Sequence, residues 1–314
     1  MEQNRRNFLK NAAVLTGSAL FVTDKSLGMP TSMDKTGRLP GKVEVSINSY
    51  TVGTFYAREE IKFRENPDRI FAELKEAGLS GFEASAGKPE DLDFFLNSLK
   101  KNDLQLLSVY SGGNLHDEAT ANNEIKRLVS LAEKAKQAGT KVIVINPNAK
   151  SGKSDEELNR QNRNFDILGA EMRKMGIKLA LHYHTTELEN AAREFHSFMS
   201  DTKPENVSLC FDVHWSYRGS NNSAVSAYSH AKLYGDRVAE LHLRQSKDGI
   251  WTETFKKDGD IDYDKTMAIL RQNKNFRNCL FVLEPAPEKG TPKTLKPLEI
   301  FKQSVEAVQQ MFNS

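Results

Sequence analysis

The chain has 314 residues, 38% of them hydrophobic and 27% charged, with a formal net charge of +2. This is enough for one large domain whose core needs no disulfide staples, since α/β barrels close in about 250 residues. Residues 1–28 hold Arg5, Arg6, Lys10 and Lys25 against Glu2 and Asp24, which leaves 40 charges of each sign in the remainder, and so neutral a body argues against a nucleic-acid or anionic-membrane partner.

In chain order, the first segment reads as an address rather than as part of a fold. Paired arginines precede Phe8–Leu9–Lys10, and the run Asn11–Val22 is too short and interrupted to span a bilayer stably. Residues 1–28 are expected to be a twin-arginine export signal, read by a receptor. They contain no cysteine for a lipid anchor, so a periplasmic protein without stable membrane anchoring is expected. Residues 29–41, with Pro, Gly, Ser and Thr, read as a linker, and 42–314 as the folded domain.

From Lys42 the chain alternates strand-like and helix-like pieces eight times. Strands are predicted over Lys42–Asn48, Ser80–Ala84, Leu104–Tyr110, Val142–Asn146, Lys178–His182, Val207–Asp212, Val238–His242 and Cys279–Glu284. Helices are predicted over Pro67–Ala77, Pro89–Lys101, Asn122–Gln137, Ser154–Met175, Leu188–Ser200, Ser223–Tyr234, Asp264–Gln272 and Leu298–Phe312. Eight βα units of this regularity imply an α/β fold with a parallel sheet, closed into a single (β/α)8 TIM barrel. An open doubly wound sheet is the alternative, but no G-x-G-x-x-G follows an early strand. Cys210 and Cys279 each sit in an apolar run and read as small buried hydrophobes.

In such barrels chemistry collects at the C-terminal ends of the strands. Polar residues accumulate there: Glu83 on strand two, Tyr110, Asn114 and His116 after strand three, and Asn146 and Asn148 after strand four. Then come His182 and His184, Asp212 with His214 and Trp215, His242 with Arg244, and Glu284. His196 and His230 fall on helices and are expected to be structural. His182 and His184 share a strand face about 6.6 Å apart. Asp212, His242 and Glu284 are the strongly ligating residues at consecutive strand ends, and His182 completes four. This mixed N/O set suits one divalent ion, Mn²⁺, Co²⁺, Zn²⁺ or Fe²⁺.

The ordered motifs Leu179–Ala–Leu–His–Tyr–His–Thr–Thr–Glu187, Phe211–Asp–Val–His–Trp215, Glu240–Leu–His–Leu–Arg244, Asp258–Gly–Asp–Ile–Asp–Tyr263 and Val282–Leu–Glu–Pro285 resemble the xylose-isomerase-like TIM barrels of the sugar phosphate isomerase/epimerase group. That group also includes ketose 3-epimerases and inosose dehydratase. In the epimerases the resemblance implies an ion held by Glu, Asp, His and Glu; the last three map onto Asp212, His242 and Glu284, and the first falls on His182. The pair of metal-bound glutamates is thereby broken.

The resemblance therefore implies a metal-dependent isomerase or epimerase that abstracts a proton next to a sugar carbonyl through a metal-stabilised enediolate. Export favours an unphosphorylated sugar. The catalytic residues expected are His184, Glu187 and Glu284, with Glu83, His116, His214, Trp215 and Arg244 binding a small carbohydrate. A lyase, dehydratase or hydratase acting on 3-keto-glycosides or inososes is the alternative, since a lone histidine base works on one face. A non-catalytic sugar-binding barrel is the alternative of another class. The zinc endonucleases of the superfamily need more ligands and a basic face than this neutral body offers.

Overall fold

The computed structural model describes residues 43–313. The expected export signal (1–28), the linker (29–41) and residue 42 lie outside the described residues. Strands β1 (Val45–Asn48), β2 (Gly81–Ser85), β3 (Gln105–Gly113), β4 (Val142–Pro147), β5 (Lys178–Leu181), β6 (Val207–Asp212), β7 (Val238–Leu243) and β10 (Leu280–Leu283) form a closed parallel barrel. Closure is made by β1 against β10, with Ile47 opposite Leu283. A two-stranded hairpin, β8 (Ser246–Lys247) and β9 (Ile250–Trp251), stands outside this ring.

The helices α2 (Pro67–Glu76), α3 (Asp93–Lys101), α4 (Ala121–Gln137), α5 (Asp155–Lys174), α6 (Glu189–Asp201), α8 (Ala224–Tyr234), α9 (Tyr263–Leu270) and α10 (Pro297–Asn313) follow the predicted segments to within a few residues. Each long one presents an apolar stripe to the sheet: α5 buries Leu158, Phe165, Leu168 and Met172, spaced at helical periods. Its start is fixed by a capping box, in which Ser154 Oγ accepts from Glu157 N at 3.2 Å and Glu157 Oε2 accepts from Ser154 N at 2.9 Å. It ends at Gly176, whose φ of 75° is the left-handed value that terminates a helix without a Cβ clash.

Three elements were not predicted. Helix α1 (Ser49–Ala57) contains Gly53 and several β-branched residues, weak helix formers. It is held by its packing, with Val52, Phe55 and Tyr56 buried, and by Asn48 Oδ1, which accepts from Tyr50 N at 2.6 Å. The second, α7 (Val213–Arg218), begins at Asp212 and is too short to show a period. The third is the hairpin. In addition, α6 opens with Asn190, Ala191 and Ala192 all at positive φ.

Strand register sets the mouth of the barrel. Asp212 pairs with His242 across β6 and β7, and Val282 with His242 across β7 and β10. The ladder runs one step past two strands: His182 N donates to Ile145 O at 2.9 Å and Glu284 N donates to Leu243 O at 3.0 Å. Leu107, Val142, Val144, Ala180, Cys210 and Leu280 pack together as a small apolar cluster of their own, drawn from the strands.

Candidate metal centre

Four strand ends deliver His182, Asp212, His242 and Glu284 to one place, where one ligating atom from each lies within 4.8 Å of all the others. The first three are 0% exposed and Glu284 is 7% exposed. His182 is fixed on its Nδ1 side by Asn146 Oδ1 at 3.1 Å, with Tyr110 Oη at 3.5 Å. Its Nε2 is buried with no hydrogen-bond partner and stands 3.8 Å from Asp212 Oδ2. Asp212 caps α7, Oδ1 accepting from Trp215 N at 2.8 Å, which leaves Oδ2 turned toward His182 and Arg244. His242 Nδ1 is 3.0 Å from Glu284 Oε2.

A buried imidazole nitrogen with nothing to bond is costly, and two imidazoles with two carboxylates make a donor set suited to a borderline divalent ion. The residues present therefore fit such an ion. Asn146 on the far nitrogen of His182 is the outer support that a ligating histidine requires. Burial works against charge on Asp212, but Arg244 and His182 overcome it and hold its carboxyl below the usual range. The same balance, with Arg244 and His242 as the opposing charges, holds Glu284 well below it.

Arg244 is itself buried. Its Nη2 donates to Glu284 Oε2 at 2.5 Å and to Asp212 Oδ2 at 3.4 Å, and its guanidinium lies 4.3 Å from the Trp251 ring centre and 5.3 Å from that of Trp215. Its Nε has no partner, nor has Trp215 Nε1.

His184 is half-buried, its ring 4.8 Å from that of His182 and 5.0 Å from that of Trp215. Burial, reinforced by His182, pulls its imidazole down to about 4, below the near-neutral value expected of a free histidine. Glu187 Oε2 accepts from the backbone N of His184 at 2.7 Å, so it fixes the loop and not the ring. Its Oε1 is buried without a partner, and burial pushes its carboxyl up.

The structure thus gathers His182, His184, Asp212, Trp215, His242, Arg244 and Glu284. Glu83 lies beneath them, fully buried, its Oε1 3.4 Å from His242 Nε2. His214 belongs to another network: Nε2 bonds Ser246 Oγ at 2.8 Å and Nδ1 accepts from Trp251 Nε1 at 3.2 Å, so both nitrogens are engaged in holding the hairpin. His116 is buried with Nδ1 unpartnered, and the charges acting on it most strongly are Lys153, Glu157 and Lys150. His196 and His230 are held by Tyr234 Oη at 2.6 Å and Ser216 Oγ at 2.9 Å. Cys210 and Cys279 are buried and free. One residue the sequence reading passed over is Glu240, whose Oε1 lies 3.1 Å from His242 Nε2. The signal was present, because a residue two before His242 on a strand shares its face.

Comparison with known proteins gives the family and fold. Residues 71–311 match the model of the family described as xylose isomerase-like TIM barrel. An inosose dehydratase of Mesomycoplasma hyopneumoniae (strain 7448) is 24% identical over 273 residues, covering 78% of this chain and 89% of that protein. A sugar phosphate isomerase/epimerase from Parabacteroides distasonis ATCC 8503 superposes with a TM-score of 0.68 at 14% identity, over 88% of this chain and 98% of its own. A xylose isomerase-like TIM barrel protein from Mycobacterium smegmatis, solved in complex with magnesium, superposes with a TM-score of 0.62 at 12% identity, over 86% and 96%.

Proposed function

The chain belongs to the xylose isomerase-like TIM barrel family, and from that premise we propose that it is a divalent-metal-dependent enzyme acting on a small carbohydrate. Its reaction begins with removal of a proton from the carbon beside a sugar carbonyl. The observation that carries this reading is the buried set His182, Asp212, His242 and Glu284, with His182 Nε2 lacking any hydrogen-bond partner. An ion held by these four, Mn²⁺, Co²⁺, Zn²⁺ or Fe²⁺, supplies Lewis-acid polarisation of a carbonyl.

The remaining work falls to side chains. His184, kept neutral by burial, accepts the proton on the side of the site next to His182. Glu187 holds the backbone of His184 in place. Arg244 Nε and Trp215 Nε1, donors without partners, orient hydroxyl or carbonyl oxygens. The half-buried Trp215 stacks on a sugar ring or excludes water from it.

In an isomerisation the proton taken from one carbon is returned to the former carbonyl carbon. A second reading, elimination, is favoured by the single imidazole base and by the likeness to an inosose dehydratase. There the proton leaves the carbon beside the carbonyl and is returned to the oxygen on the next carbon, which departs as water from an inosose or as the aglycone alcohol from a 3-keto-glycoside. Incubating metal-loaded protein with keto-sugars, 3-keto-glycosides and inososes in deuterated water tests both. Deuterium beside the carbonyl, or loss of water or aglycone, supports the proposal, and the product tells the two apart. Binding of a carbohydrate with neither exchange nor elimination would instead mark a non-catalytic sugar-binding barrel.

The proposal extends to export, on the strength of Arg5–Arg6 ahead of Phe8–Leu9. Residues 1–41 fused to a folded reporter should carry it to the periplasm, and changing both arginines to lysine should retain it in the cytoplasm; export unaffected by that change would count against the twin-arginine route. An exported enzyme meets unphosphorylated sugars, which is the substrate class proposed. Among the described residues no helix is long and apolar enough to cross a membrane.

A further inference from the structure

We propose that Glu240 is a positioning residue for the ion: from below the strand-end set its carboxyl, with that of Glu83 beside it, accepts from His242 Nε2 and so presents Nδ1 to the ion. The inference rests on reading His182, Asp212, His242 and Glu284 as one site. It concerns the layer underneath, which that reading does not use.

Several side chains at this level are polar. Interior positions of a (β/α)8 barrel are filled mainly by branched apolar side chains, and Val144 and Ala180 follow that rule. Around them stand Asn48, Glu83, Ser108, Cys210 and Glu240, all nearly or fully excluded from solvent. Glu240 and His242 share one face of β7, while Glu83 reaches in from β2, on the other side of β10 and β1. Their Oε1 atoms lie 3.1 and 3.4 Å from the same nitrogen, His242 Nε2. Glu83 is secured in turn by Asn48 Nδ2 and by Ser108 Oγ at 3.3 Å. Cys210 Sγ lies 3.8 Å from Glu240 Oε1.

Two carboxyl groups enclosed in a barrel destabilise it unless they are matched, and an apolar pair of the same size would serve the fold as well or better. What the carboxyls do is turn one imidazole. His242 has Glu284 Oε2 at 3.0 Å from Nδ1, on the side of the ion set, and the acid pair on the opposite nitrogen. A ligating imidazole needs its coordinating nitrogen free of hydrogen, and a carboxylate acceptor on the other nitrogen fixes that tautomer and strengthens the ligand. Asn146 does this for His182 with a neutral amide; Glu240 and Glu83 do it for His242 with an acid.

Co²⁺ titration of the full chain, followed by the visible absorption of the bound ion, tests the assignment. Wild type should take up one equivalent. Glu240→Met should bind Co²⁺ about 10- to 100-fold more weakly, the usual effect of removing such a support, with a shifted absorption band. Its thermal midpoint should stay level or rise, because a buried carboxyl has given way to an apolar chain of similar length. Unchanged Co²⁺ affinity and band in Glu240→Met would overturn the inference while leaving the ion site standing, and a lowered midpoint with unchanged affinity would do the same. Should Glu240→Met not fold, Glu240→Gln keeps the shape and an acceptor oxygen, and is expected near the tenfold end; wild-type affinity there overturns the inference. Failure of the wild type to bind any ion would remove the site and this inference together.

Discussion

The two histidines at the β5 end differ in what surrounds each, and the proposed roles follow from that difference. His182 is fixed at Nδ1 by Asn146 and has a buried, unpartnered Nε2 turned to Asp212, which is the posture of a ligand. His184 is less buried, lies against Trp215, and is held by its backbone through Glu187, which leaves its ring free to exchange a proton. His182→Ala should therefore lose the ion. His184→Ala should keep it and lose turnover by roughly 10²–10⁴, the usual worth of a general base. Metal content and turnover measured on the same two preparations check this, and loss of the ion from His184→Ala with retention in His182→Ala would reverse the roles.

At the scale of elements, the barrel depends on close approaches that tolerate no added bulk. Gly169 on α5 faces the backbone of Asn206 ahead of β6, where a Cβ would collide with the Asn206 carbonyl. Gly169→Ala should cost about 1–3 kcal/mol through overpacking. Urea unfolding would show a lower midpoint at an unchanged slope; an unchanged midpoint would mean that α5 can shift. Legibility in the sequence follows the same elements. Short apolar runs a few residues after a Gly, such as Val142–Ile145 and Leu179–Leu181, gave away the strands, and amphipathic helices such as α2, ending before Gly78, gave away the βα alternation. Helix α7 and the β8–β9 hairpin stayed hidden, being too short for a period and held by partners distant in sequence: His214 to Ser246 and Trp251, and Asp260 Oδ2 to Ser246 Oγ at 2.6 Å. The four residues of the candidate ion set were legible as strand ends. Glu240 sits one pleat below His242 on the same face of β7, so its signal lies in the strand's period and not at its end.

For the whole molecule, buried imidazoles set the response to acid. Burial lowers His184 to about 4, His214 to about 3 and His230 to about 4, against about 6.5 in an unfolded chain. Between those limits the unfolded state takes up protons that the folded state refuses, so stability should fall as pH drops below about 6.5, by about 1 kcal/mol per pH unit for each histidine. His116 and His196 are lowered by burial too, and these imidazoles outnumber the carboxyls that burial raises, Glu240 to about 8 and Glu187, so a net loss on acidification is predicted and urea midpoints at pH 7, 6 and 5 should decline in that order; a flat series would mean that these imidazoles are solvated.

The claim on which the rest depends is that His182, Asp212, His242 and Glu284 hold one divalent ion. Metal analysis of purified wild type beside Asp212→Ala and Glu284→Ala, with circular dichroism to confirm the fold, tests it most directly. One ion per chain in the wild type and none in either folded variant is the result expected. The same stoichiometry in all three proteins would contradict it.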